Sequence, residues 1–78
     1  MTRNRFYEVV EAVLVEHREA TSRFPSFRSR HEGYAIIKEE LDELWEEIKT
    51  KNTDEARLRK EAVQLAAMAL RFVVDCTT

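Results

Sequence analysis

Six of the eleven residues from Lys38 to Ile48 are acidic, yet the stretch keeps an apolar side. At about 100° per residue, an α-helix brings positions three or four apart onto one face. Glu40, Glu43 and Glu47 then share one side, and Tyr34, Ile37, Leu41, Leu44 and Ile48 occupy the side next to it. Such a helix can bury an apolar face while a row of carboxylates runs along its edge. A second acidic stretch, Lys60-Glu61-Ala62-Val63-Gln64, lies further on. If the two segments pack antiparallel, Glu40 and Glu43 face Glu61 and Gln64. Crowded carboxylates repel one another, so a cation placed among them removes a cost. Hard divalent cations take oxygen ligands, and helix bundles build such sites from inward-facing acids. The chemistry these types and spacings point to is a divalent-metal site. Taken alone, an EExxE run more often marks a solvated acidic face than a metal site.

Three helices are needed to position these groups. The first is expected from about Asn4 to Ser22, capped by Thr2 or Asn4, with Phe6, Val9, Val10, Val13 and Leu14 as its apolar stripe and His17 one turn beyond. Glu8, Glu11, Arg18 and Glu19 should sit toward solvent. Pro25 breaks the pattern, and Phe24 and Phe27 read as cover for the core. Arg23, Arg28, Arg30 and His31 make this connection locally basic, a potential counter-charge for an anionic ligand.

Ser29 and Glu32 have capping-box spacing, so the second helix should start near Arg30 and reach about Lys51. Thr53 is the expected cap of a third helix over about Asp54–Asp75. Its stripe is Leu58, Ala62, Leu65, Ala69 and Phe72, widened by Ala66 and Val73. Arg57, Glu61, Gln64 and Met68 lie on a different face, the mirror of the acidic edge. Trp45 falls away from that edge and reads as core or dimer packing.

Length and composition bound the rest. Seventy-eight residues read as one all-α domain over 1–78, with 44% hydrophobic residues, 36% charged residues and a single Gly and Pro. A chain this short buries little core, so three antiparallel helices are expected to complete a four-helix-type core by homo-oligomerisation. A net charge of −2 argues against nucleic acid as a partner. The one Cys, at position 76, excludes an internal disulfide framework. No apolar run approaches a membrane span of about 20 residues, and the start of the chain does not read as a signal peptide, so a cytoplasmic protein is expected.

The run Lys38-Glu39-Glu40-Leu41-Asp42-Glu43-Leu44, followed by Glu61-Ala62-Val63-Gln64-Leu65-Ala66-Ala67-Met68, resembles the MazG-like all-α nucleoside triphosphate pyrophosphohydrolase superfamily. That family carries EExxE on one helix and ExxD on the next. Here EExxE is Glu39, Glu40 and Glu43, and eighteen positions separate Glu43 from Glu61. His31-Glu32-Gly33-Tyr34-Ala35 and Ala69-Leu70-Arg71-Phe72-Val73 resemble small phage and bacterial members. The similarity covers residues 31–75.

The resemblance implies Mg²⁺ or Mn²⁺ held by Glu40, Glu43 and Glu61, with Gln64 where the family has Asp. Gln offers an oxygen but no charge, which weakens metal affinity and puts catalysis in question. The implied reaction splits a nucleoside triphosphate into monophosphate and pyrophosphate. Glu39 is the implied base for water, and Arg57, Lys38 and Arg71 are candidates for phosphate contacts. A homodimer or homotetramer is expected, with the site near a subunit contact. The competing reading is a non-catalytic helical interaction module on the same scaffold.

Overall fold

A computed structural model describes residues 4–77, so the alternative cap Thr2 lies outside the described residues. Three helices form: α1 (Arg5–Arg23), α2 (Arg30–Lys49) and α3 (Glu55–Cys76). No strand occurs among the described residues. Each start has a physical cap. Asn4 Oδ1 accepts from the Phe6 N–H at 2.8 Å, and Ser29 Oγ accepts from the Glu32 N–H at 3.0 Å. Glu32 turns back to accept from the Arg28 N–H at 2.6 Å, one residue before the position a capping box uses.

The expected cap of α3 is corrected. Asp54, not Thr53, caps it, accepting from the Arg57 N–H at 2.8 Å. Thr53 instead donates its hydroxyl to Glu47 Oε1 at 2.6 Å, tying the α2–α3 turn to the end of α2. α2 also stops two residues short of Lys51, where Thr50 leaves helical geometry and donates its hydroxyl to Glu46 O at 2.8 Å.

Helix α3 is the spine. Both other helices pack against it, and α1 and α2 do not approach each other. α2 runs antiparallel to α3: Gly33 lies against Phe72, while Glu40 and Glu43 lie beside Glu61. α1 ends, α2 begins and α3 ends at one pole, joined by the 24–29 loop. There the Phe27 N–H donates to Asp75 Oδ2 at 3.0 Å, and Arg30 Nε donates to Cys76 O at 3.2 Å. The core is Ala20, Phe27, Ala67 and Met68, with Val13, Ile36, Ile37 and Phe72 packed around it.

The apolar stripes are rotated from their expected positions. On α2 the inward residues are Gly33, Ile36, Ile37, Glu40, Leu44 and Glu47, while Tyr34, Leu41 and Ile48 are exposed together with Trp45. Gly33 supplies the reason: a Cβ there would sit 2.6 Å from Phe72 Cδ2, so α2 rests its bare backbone on that ring. This turns the helix by about one position and carries Glu40 inward.

On α1, Val9, Ala12, Val13, Glu16, His17 and Ala20 face in, and Phe6, Val10 and Leu14 are exposed. On α3, Ala67, Met68 and Arg71 are buried, whereas Ala62, Ala66, Ala69 and Val73 face solvent. On α2 and α3 these exposed apolar residues point roughly away from the gap between α1 and α2, and on α1 Val10 and Leu14 do so more than Phe6. The chain is a flat body, 38 × 35 × 19 Å, with one concave side and one apolar back.

Candidate metal centre and cleft

Antiparallel packing of α2 on α3 brings Glu40, Glu43 and Glu61 together, each offering a carboxylate oxygen within 4.8 Å of the other two. Helical spacing places Glu43 one turn after Glu40, and the rotation set by Gly33 aims both at α3. Glu40 and Glu61 are half-buried and Glu43 is exposed, so the cluster opens outward at Glu43. Glu40 Oε2 and Glu61 Oε1 are shut off from solvent, yet neither has a hydrogen-bond partner. Buried acceptors left bare are costly, which makes a bound proton or cation the natural remedy.

Electrostatics agree. Burial, then the charge of Glu43 and its hydrogen bond, then Glu61 and Glu39, push the Glu40 carboxyl up from 4.5 to about 7. Protonated, Glu40 can donate to Glu43. A divalent cation would relieve the same repulsion with more charge. The donor set fits Mg²⁺ or Mn²⁺: three hard oxygens, one side open to water or phosphate.

Glu40 also belongs to a cleft of about 470 Å³ floored by α3 and walled by α1 and α2. One end carries Glu39, Glu40 and Gln64; Ile36, Met68 and Ala20 line the middle; Arg23, Arg28, Phe24 and Phe27 close the far end. Gln64, half-buried one turn after Glu61, lines the cleft. Glu39 is exposed on the cleft wall. Arg57 is exposed one turn before Glu61.

Two of the expected phosphate contacts are engaged by other groups of the chain. Lys38 points away from the cleft and pairs with Asp42 at 3.1 Å. Arg71 borders the cleft but is only 3% exposed. Its guanidinium donates to Phe24 O at 2.9 Å and to Pro25 O, stands 3.4 Å from Asp75 Oδ2, and lies 4.7 Å over the Phe27 ring. Its charge is committed to holding the 24–29 loop onto α3. Asp75, about three turns beyond Gln64 on α3, is engaged by Arg71 and the Phe27 N–H.

Several cleft residues were not singled out as site residues from the sequence. Glu16 and Glu19 on α1 line the cleft across from the acids of α2, with Glu19 exposed as expected. The signal for Glu16 was its spacing, one turn after Val13 and one before Ala20. Arg23 and Arg28 had been marked by the basic loop. Fold and site together define an all-helical chain with a carboxylate cluster between two helices at the end of a cleft. Comparison with protein-family models, curated proteins and solved structures gives no match to this chain.

Proposed function

We propose that this chain is a Mg²⁺- or Mn²⁺-dependent nucleoside triphosphate pyrophosphohydrolase of MazG-like type. The observation that carries the reading is the meeting of Glu40, Glu43 and Glu61 from two helices, with bare oxygens turned inward. Glu40, Glu43, Glu61 and Gln64 would hold the ion. Bound there, it neutralises phosphate oxygens and lowers the pKa of water.

The chain's own residues do the rest. Glu39 stands on the cleft wall beside the cluster and takes a proton from the attacking water. Water adds to one phosphorus of the α–β anhydride, the bond to the bridging oxygen breaks, and monophosphate and pyrophosphate leave. Arg57 contacts phosphate from α3, and Arg23 and Arg28 give the cleft a cationic end suited to an anionic ligand. The apolar middle excludes water and takes the nucleoside. In this reading the protein is a cytoplasmic homo-oligomer, a dimer or tetramer.

Pyrophosphate release from a panel of nucleoside triphosphates with Mg²⁺ or Mn²⁺ tests the activity. Turnover is expected in the native chain and is expected to vanish in Glu40→Gln and Glu61→Gln. A panel without turnover, unchanged in Gln64→Asp, removes the enzyme. Gln64 itself favours the second reading, a non-catalytic interaction module on the same scaffold, because the cleft lacks the fourth charge. Calorimetric titration with Mn²⁺ alone separates that module, which binds the ion without turnover, from a scaffold that binds none.

A further inference from the structure

We propose that the apolar back of the molecule is the dimer interface, and that two copies pair back to back with their clefts facing outward. The proposal adds a specific face to the oligomer reading above and departs from a site built at the subunit contact.

The face spans all three helices and is set by rotation. On α2 and α3 it lies about half a turn from the cleft residues. Its large side chains are open in the single chain: Phe6 is 66% exposed, Tyr34 63%, Trp45 55% and Leu41 51%. Scattered exposed hydrophobics are ordinary, but a continuous face of them marks an interaction surface.

Area decides between a weak and a stable contact. An aromatic side chain buries roughly 150–250 Å². With these fractions still open, the aromatics and aliphatics of the back expose on the order of 800 Å². A stable interface takes about 800 Å² per partner. The face therefore has the size of a complete protein interface.

The occupant follows from the core. Among the described residues no large side chain is fully buried, and the buried hydrophobic core is Ala20, Phe27, Ala67 and Met68. So small a core needs burial that accompanies the fold itself, which makes the partner obligate. A second copy is always present at the chain's own concentration. From Ala62 to Val73 the outward line of α3 carries no charge, and on the outward side of α2 the charge of Lys38, between Tyr34 and Leu41, is paired with Asp42 at 3.1 Å. The acids of the cleft point the other way, which keeps two negative clusters apart.

Light scattering after gel filtration, with Trp45 fluorescence, tests this on the full chain at about 50 μM. The native chain is expected at twice 9.2 kDa, with Trp45 blue-shifted and shielded from iodide. Leu41→Glu and Val73→Glu are expected to halve the mass, and Glu19→Lys, on the cleft side, to leave it unchanged. Circular dichroism checks that the variants remain helical; if neither does, iodide shielding of native Trp45 decides. A native dimer whose Trp45 is fully quenched, or one that survives both variants, overturns the face but not the oligomer. A native monomer overturns both. A monomer that sediments with anionic lipid vesicles would hand the face to a membrane surface.

Discussion

Glu40 concentrates the behaviour of the cluster in one titration. Its carboxyl holds a proton up to about pH 7 in the fold, against 4.5 when free. An acid with a raised pKa stabilises the fold fully below its free value and loses that contribution as pH rises through the folded one. The melting temperature of the metal-free native chain, relative to Glu40→Gln, is therefore expected to fall between pH 4.5 and 7. The drop should be a few degrees, because the group is only half-buried and solvent screens it. A flat difference across that window would show that Glu40 carries no shifted proton.

A metal at the proposed site would follow the same linkage, since a carboxylate ligand must lose its proton. Calorimetry with Mn²⁺ at pH 6, in buffers of different ionisation heat, is expected to report close to one proton released, and almost none at pH 8.5. Gln64→Asp should tighten Mn²⁺ on the order of tenfold by adding charge, and Glu61→Gln should weaken it by at least as much. At this scale much was legible. Glu40, Glu43 and Glu61 announced themselves through spacing on two helices. Arg71 did not, because its carbonyl partners Phe24 and Pro25 lie 47 and 46 positions away and no local pattern marks them.

At the scale of elements, the seating of α2 on α3 decides whether the acids meet. That seating depends on Gly33, whose absent side chain leaves room for Phe72. Gly33→Ala improves helix propensity by about 1 kcal/mol but drives a methyl into the ring. Overpacking should win, for a net loss of about 1–2 kcal/mol in urea unfolding, with weaker Mn²⁺ binding as the helix shifts. A variant as stable as the native chain would remove Gly33 as the setter of the rotation.

The loop clamp at the other pole gives a second test. Asp75 and Arg71 have side chains only 9% and 4% exposed, and removing one partner of such a pair strands the other. Asp75→Ala is expected to cost about 3 kcal/mol. Arg71→Lys should lower stability as well, whereas a phosphate ligand would raise KM with stability intact. The helices themselves were readable to within two residues, because caps and breaks are local signals. Their rotation was not. Both α1 and α2 carry apolar residues on two adjacent faces, and only the partner helix decides which one turns in.

For the whole molecule, pairing through the apolar back as proposed would make stability and assembly one equilibrium. A chain with so small a core and so large an apolar back should gain much of its stability from pairing. Unfolding of a dimer to two chains depends on concentration. Raising the protein a hundredfold contributes about 2.7 kcal/mol per dimer. For a unit of this size that corresponds to a rise of roughly 5–10 °C in melting temperature. Val73→Glu should melt lower and at a temperature independent of concentration. Saturating Mn²⁺ should raise both curves by a similar amount, since the cluster lies within one chain, between α2 and α3. If the ion steepened the concentration dependence instead, metal and interface would be coupled, and a back-to-back pair with independent outward clefts could not account for it.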